Sequence, residues 1–366
     1  MNKQNIFKPT FGNRPQRIIG REEIINDFEL GLLSESGHPN RASFLIGQRG
    51  TGKTALLLEF AERAKAMDFI AVRVTASERM LDEILQIIQV EGIEFIKGSK
   101  RKIKSVSAGG LGFSFGLTFS DEVEKKYSFR IKLTMLLDEL ANYNKGILLL
   151  VDEVTSSSPE MRELATTYQH LVGDGKNIAI VMAGLPGAVS SVLNDDILTF
   201  LNRARKVNLA PIQLNEIREF YLECFTGLGI DIGSEKLEMA VSTTRGYPYL
   251  LQLIGFYILK YIGSHKSVDD VNFDIAIKCS KQDLIENVFQ PCLKSLSDKD
   301  IEFLKAMAED DDDSMVANIG KRLGESHGHI QAYRKRLIAA GVIISERRGR
   351  LSITVPFLNE YLRGAI

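Results

Sequence analysis

Gly47-Gln48-Arg49-Gly50-Thr51-Gly52-Lys53-Thr54 is the stretch on which the reading of this chain turns. It has the spacing G-x-x-x-x-G-K-T, the Walker A pattern, and its flanks supply the context that pattern needs. Ala42 to Ile46 before it is a short apolar run of strand length, and Thr54 to about Met67 after it reads as a helix. The glycines let backbone N–H groups approach an anion with no Cβ in the way, and the helix N-terminus adds partial positive charge. Gly47, Gln48, Arg49, Gly50, Thr51 and Gly52 thus form a cradle for phosphates. Lys53 is placed to reach the β- and γ-phosphates of a nucleotide, and the Thr54 hydroxyl to ligate Mg²⁺.

About a hundred residues downstream, Ile147-Leu148-Leu149-Leu150-Val151-Asp152-Glu153 is a solid apolar run ending in two acids, a Walker B pattern. An apolar run of this kind suits a central parallel strand buried on both faces. A carboxylate at the end of such a strand is costly unless a cation or hydrogen bonds satisfy it. Asp152 is expected to hold the Mg²⁺ shell, and Glu153 to orient or deprotonate an attacking water. The two patterns together predict a nucleoside triphosphatase.

The rest of the chain fits around this pair. Residues 1–20 read as an extended lead-in with Pro9, Gly12 and Pro15 among polar residues. Arg21 to Leu33 has apolar residues at helical spacing. Phe69 to Val74 reads as a strand, Arg79 to Ile96 as a helix, and Ile178 to Ala183 as a further buried strand. Strands alternating with helices over 21–210 predict an α/β domain with a mainly parallel sheet. Within it, alternation at Leu111, Phe113, Phe115, Leu117 and Phe119 after Gly109-Gly110 predicts an inserted β-hairpin over about 103–119, followed by a helix from about Glu122 to Tyr143. Strand-like runs vanish from Pro211 until Val342. Residues 211–292 read as a helical lid, with Asn215 and Ser234 as helix-start signals. Glu309 to Asp313 reads as a solvated acidic loop.

Residues 293–366 form a third unit. Ser297-Asp298-Lys299-Asp300 resembles a capping box, and three helices are followed by runs at Val342 to Ile344 and Leu351 to Val355 around a basic turn. This order is that of a winged helix-turn-helix. Gln331, Arg334 and Lys335 are candidates to project from its recognition helix toward DNA, and Arg347, Arg348 and Arg350 would sit on the wing, suited to phosphates.

Composition sets bounds on the function. The chain has 366 residues, 44% hydrophobic and 25% charged, an ordinary globular make-up. Its 46 Lys+Arg against 47 Asp+Glu give a net charge of -1, so any nucleic-acid site is local rather than a global basic field. Three widely spaced cysteines match no zinc or disulfide spacing. No 18-residue apolar run predicts a membrane span, and the polar first ten residues lack the apolar core of a signal peptide. The expectation is a cytoplasmic protein.

The order of parts resembles an AAA+ ATPase, closest to origin-recognition-type initiators and the related STAND and archaeal-type ATPases. Ile18-Ile19-Gly20-Arg21-Glu22-Glu23 looks like the hhGRE box that precedes Walker A in that group, which implies that Gly20 and Arg21 pack near the adenine of ATP. Thr244-Arg245-Gly246-Tyr247-Pro248 looks like the GxP motif of STAND-type lids, which implies that Gly246 and Pro248 shape a loop against the nucleotide. The stretch ending in Arg203-Ala204-Arg205-Lys206 sits where the family often carries an arginine finger, so Arg203 or Arg205 would reach a neighbouring subunit's phosphates. Many AAA+ proteins place a polar side chain at the end of the strand that here reads Ala183-Gly184; the departure implies slow hydrolysis. The resemblance implies an ATP·Mg²⁺-dependent, self-assembling, DNA-binding switch. The alternative is a nucleotide-sensing scaffold whose winged helix is a protein-docking or autoinhibitory element.

Overall fold

The computed structural model describes residues 6–10, 12, 14–98, 113–114, 118–119, 127–155, 158–262, 267–311, 313–345 and 347–365. In its first half, helix α1 (Glu22–Leu33) precedes β1 (Ala42–Ile46), α2 (Lys53–Ala66), β2 (Phe69–Thr75) and α3 (Met80–Gly98). The two-residue strands β3 (Phe113–Ser114) and β4 (Thr118–Phe119) follow, then α4 (Phe129–Ala141), β5 (Gly146–Val154), α5 (Pro159–Gly173), β6 (Ile178–Gly184), α6 (Pro186–Leu193) and β7 (Arg205–Asn208). Five strands form one parallel sheet in the order β2-β5-β6-β1-β7. β1, which feeds the Walker A loop, is therefore flanked on both sides. The order also makes β5, which ends in the two acids, an inner strand.

The strand side chains alternate between two apolar layers, as a sheet covered on both faces requires. Leu45, Ala71, Leu148, Leu150, Val181 and Ala183 pack with α1 and α2. Phe44, Ile70, Val72, Leu149, Val151, Ile180 and Met182 pack on the other face with α3 to α6. Of the expected hairpin, Phe113 and Ser114 pair antiparallel with Phe119 and Thr118; residues 103–112 and 115–117 of that expectation lie outside the described residues. The helix expected from about Glu122 is described from Phe129, with Ser128 in extended conformation at its N-cap.

Beyond β7 the chain is helical: α7 (Leu214–Gly227), α8 (Ser234–Thr244), α9 (Pro248–Ile262), α10 (Asp270–Leu284), a π-turn over Ile285–Phe289, and α11 (Gln290–Lys294). α7 is capped two residues earlier than expected: Gln213, not Asn215, forms a reciprocal capping box with Glu216. The last stretch comprises α12 (Asp298–Ala308), β8 (Ser314–Met315), α13 (Val316–Leu323), α14 (His327–Ala339), β9 (Ile343–Ile344), β10 (Arg350–Ile353) and α15 (Leu358–Leu362). The Ser297–Asp300 capping box is formed, and Ser326 Oγ caps α14 by accepting from His329 N–H at 3.3 Å. β8, β10 and β9 make a three-stranded antiparallel sheet. β8 is a strand where no strand-like run is expected, because two residues carry no readable alternation.

Long-range contacts add to two of these expectations. The acidic run is exposed at Glu309 and Asp311, as expected of a solvated loop, and it is also tied down: Glu309 and Asp310 pair with Arg322, Asp311 with Arg363, and Asp313 accepts from the Ser352 hydroxyl. The extended lead-in is anchored at Phe7. Phe7 is 1% exposed, packs edge-on against Phe220 and Tyr221, and lies so close to Gly255 that a Cβ there would strike its ring. Burying one phenylalanine in this way stabilises by roughly 1.5–3 kcal/mol. One apolar cluster runs from Phe7 through α7 to α10 and on into the C-terminal helices and sheet.

Candidate functional site

At the C-terminal ends of β1 and β5, a cavity of about 1030 Å³ opens between the parallel-sheet layer and the helices beyond it. The Walker A residues Arg49, Gly50, Thr51, Gly52, Lys53 and Thr54 line it, as do Asp152 and Glu153. The loop takes its shape from Gly50 (φ 75°) and Gly52 (φ 89°), left-handed conformations that disfavour other residues. Gly52 is the N-cap of α2, so the first amides of that helix face the cavity floor. Gly47 and Gln48 do not line the cavity; their carbonyls accept from Lys53 Nζ at 2.8 and 2.7 Å. Burial pushes the Lys53 ammonium down to about 8, with Asp152 and Glu153 opposing the shift and Arg49 adding to it.

The acids stand beside this loop. Thr54 Oγ1 donates to Asp152 Oδ2 at 2.7 Å, and Glu153 N–H donates to Asp152 Oδ1 at 2.9 Å. Asp152 and the Thr54 hydroxyl thus converge as two oxygens, a donor set that suits a hard divalent cation such as Mg²⁺. Glu153 has φ 52°, at a register shift between β5 and β6. A left-handed glutamate at the end of a central strand is strained, and it is retained where the surroundings fix it. Its effect is to turn the side chain out of the sheet; Glu153 is exposed into the cavity. The neighbouring strand ends in buried Ala183 and Gly184, and a Cβ at Gly184 would strike the Val154 carbonyl. No polar side chain comes from that position.

Other site candidates divide. Arg21 lines the cavity but spends its guanidinium on the carbonyls of Gly20 (2.9 Å) and Ala210 (2.6 Å); burial lowers its pKa, against Glu216 and Glu22. Gly20 does not line the cavity and packs against Ile212 and Glu216. Pro248 lines it. Gly246 lies behind, where its carbonyl accepts from Ile212 N–H at 2.8 Å. Arg205 is held by Asp27 and by Asn40 Oδ1 at 3.3 Å, whereas Arg203 is exposed with no ion pair among the described residues.

In the C-terminal unit, Arg334 is half-buried and donates to Gln331 Oε1 (3.2 Å) and Ser345 Oγ (3.0 Å), so it ties helix to turn. Lys335, Arg347, Arg348 and Arg350 are exposed and carry no ion pair among the described residues. Sequence reasoning misses the cavity's other wall. Lys8, Pro9, Thr10 and Arg17 of the lead-in line it beside Tyr249, Leu251 and Gln252 of α9, and Lys8 N–H donates to Gln252 Oε1 at 3.0 Å. The apolar pair Ile6-Phe7 before a proline-interrupted stretch is the one local signal of that arm.

A family model described as "ATPase domain predominantly from Archaea" matches residues 20–254, and a domain of unknown function (DUF8462) matches residues 286–362. No curated protein matches the chain. Among solved structures, the Walker-type ATPase PABY2304 of Pyrococcus abyssi is 19% identical, with TM-score 0.72 over 98% of this chain and 99% of that one. The Aeropyrum pernix ORC2 protein, solved as ADPNP-ADP complexes, is 17% identical with TM-score 0.69, over 100% and 96% of the two chains. Cdc6p from Pyrobaculum aerophilum is 17% identical with TM-score 0.51, over 98% and 96%. These likenesses extend over the whole length and concern the fold. No helix among the described residues is long and apolar enough to cross a membrane.

Proposed function

We propose, from the premise that the chain belongs to the family of ATPase domains found predominantly in Archaea, that it is an AAA+ switch ATPase of the initiator-like and STAND type that binds DNA through a C-terminal winged helix. The observation that carries the ATPase half is the Thr54–Asp152 hydrogen bond beside buried Lys53, with Glu153 turned into the same cavity. The loop amides and Lys53 bind the polyphosphate of ATP, and the lead-in and α9 enclose its base. Bound magnesium, for which Thr54 and Asp152 fit as ligands, would neutralise charge on the β- and γ-phosphates. Glu153 orients a water in line with the γ-phosphorus and accepts its proton as the new P–O bond forms and the bond to the β-phosphate oxygen breaks. The apolar end of β6 supports slow turnover.

Arg203 is the finger we assign to assembly. It is unpaired among the described residues, whereas Arg205 is committed to Asp27. In trans it would stabilise the charge on a neighbour's transferring phosphoryl, an effect of about 10³–10⁵ in rate.

Lys53 makes nucleotide binding pH-dependent. Its pKa of about 8 lies below the ordinary 10.5, so this group opposes folding below about pH 8, and the opposition is relieved as pH rises from there toward the unfolded value. A polyphosphate beside Nζ favours the ammonium and raises its pKa. Binding of ADP at pH 8 should therefore take up about half a proton, and more near pH 9. Calorimetry in buffers of different ionisation enthalpy measures this; zero uptake at both pH values would refute the contact.

The DNA half rests on the order α12-β8-α13-α14-β9-β10 with a cationic turn, the layout of a winged helix-turn-helix. Pairing within the unit removes Arg322, Arg336 and Arg363 from the count of available cations. Of the residues expected to face DNA, Lys335, Arg347, Arg348 and Arg350 stay exposed without an ion pair among the described residues, with Gln331 on α14 and Arg334 as their brace. Four phosphate contacts predict a slope of log K against log salt of about -3.6 on duplex DNA. Changing Arg347, Arg348 and Arg350 together to Glu should weaken binding at least about 100-fold. A salt-independent affinity, or one that survives the triple change, favours the scaffold reading, in which this unit docks on protein.

A further inference from the structure

Five non-glycine residues have positive φ among those described, and two of them are stacked on one another. Arg245 (φ 49°) ends α8, and Phe357 (φ 66°) precedes α15. The Arg245 guanidinium carbon lies 3.8 Å from the centre of the Phe357 ring. Lys281 Nζ of α10 stands 4.5 Å from the same ring centre, so two cations stand over the one aromatic ring. Arg245 also pairs with Glu360 on α15, whose other carboxylate oxygen is buried with no partner. Two residues in a conformation unfavourable to side chains, holding each other across two parts of the chain, mark a contact that the surroundings impose.

The same segment grips the nucleotide loop from behind. Two residues after Arg245, the Tyr247 hydroxyl donates to the Arg49 carbonyl of the Walker A loop. A Cβ on Gly50 would run into that phenol ring. Between the two sits Gly246 (φ 74°), fixed by its carbonyl to Ile212 N–H at 2.8 Å. Neither Arg245 nor Tyr247 lines the nucleotide cavity. Three consecutive residues thus join the outer surface of the phosphate loop to the C-terminal unit.

We propose that Arg245-Gly246-Tyr247 is a tie rod that transmits occupancy of the phosphate loop to the C-terminal unit, with the Phe357 ring and its two cations as its far anchor. The physical step is the orientation of peptide planes. Phosphates draw the loop N–H groups inward, which turns the opposing carbonyls, that of Arg49 included, outward onto Tyr247. A filled loop therefore holds Tyr247, Tyr247 holds the left-handed turn at Arg245 and Gly246, and the turn holds Phe357 and Glu360. A second contact joins the same parts directly: Gly341, after α14, abuts the Gln48 side chain. It makes no use of Arg245, so the two routes are separable.

This inference rests on the nucleotide reading above, and one experiment separates the two. Calorimetry with Mg·ADP is run beside amide hydrogen exchange of residues 350–362, on the full chain and on Arg245→Gln, Phe357→Leu and the milder Glu360→Gln. In the parent chain, ADP is expected to slow exchange of that segment about fivefold or more, the low end of ordinary coupling between sites. In Arg245→Gln and Phe357→Leu, ADP still binds within about tenfold of the parent, and the slowing is lost; Glu360→Gln loses part of it. Slowing that persists in full in the variants overturns the tie rod and assigns the coupling to the contacts that bypass it, Gly341 against Gln48 and Ala339 against Gly187. Slowing absent from a parent that binds ADP overturns transmission altogether. A parent that binds no ADP overturns the nucleotide reading instead, on the calorimetric arm alone.

Discussion

Lys53→Ala is expected to weaken nucleotide binding by at least about 100-fold, because two charge-assisted hydrogen bonds to phosphate, at about 1.5–3 kcal/mol each, disappear together. The lower end applies here. Lys53 donates to the Gly47 and Gln48 carbonyls, so binding exchanges those bonds rather than forming new ones from water. The same geometry predicts an effect of opposite sign on the ligand-free protein. A lysine pushed down to about 8 by burial opposes folding at pH 7 by about 3 kcal/mol. Removing it relieves that opposition while leaving two carbonyls without their donor, so the thermal midpoint without ligand should change little. Thermal melts with and without Mg·ADP read both effects at once. The parent's midpoint rises with ligand by mass action, and the variant's does not. A ligand-induced rise that survives Lys53→Ala would sink the phosphate-loop assignment.

The parts of this molecule that are legible in its sequence are those set by local pattern. β1 is the run Ala42–Ile46 to the residue, and β6 extends one residue past its expected end. Strands buried on both faces are short, nearly continuous apolar runs, and β5 and β6 stand out in the sequence for that reason. The phosphate loop is legible for the same reason: its glycines and Lys53 act through backbone geometry that the sequence order alone creates. What stays hidden is set by partners far along the chain. Nothing near Phe7 says that it will meet Phe220, Tyr221 and Gly255, and so the lead-in's place in the cavity wall is not readable. Nothing in the exposed acidic run says that Arg322 and Arg363 will fold back onto it. Arg203 and Arg205 are equivalent as letters, and only Asp27, far upstream, distinguishes them. The alternation of β8 is too short to register against its neighbours, and it exists because Arg350 and Leu351 offer it a ladder.

Glu153→Gln should slow ATP turnover by about 10²–10⁴, the usual span for loss of a general base, with nucleotide affinity kept within about threefold. Binding survives because the phosphate contacts belong to other groups: the loop amides, Lys53, and the Thr54–Asp152 pair, whose 2.7 Å bond does not involve the Glu153 side chain. The backbone survives as well. The left-handed turn at position 153 is held from outside, by the Glu153 N–H bond to Asp152 Oδ1 and by the shift in pairing to β6, and glutamine enters that conformation no less readily than glutamate. Glu153→Gly serves as the control, since it removes the carboxylate while relaxing the φ of 52°; it should be as slow as Glu153→Gln and somewhat more stable. Single-turnover assays with enzyme in saturating excess over Mg·ATP compare the three proteins free of product release. Should Glu153→Gln hydrolyse as fast as the parent, the carboxylate does not take the proton, and the strained turn must have another use. Should it lose ATP binding instead, Glu153 belongs to the ligand set beside Asp152, and the separation of roles between the two acids is wrong.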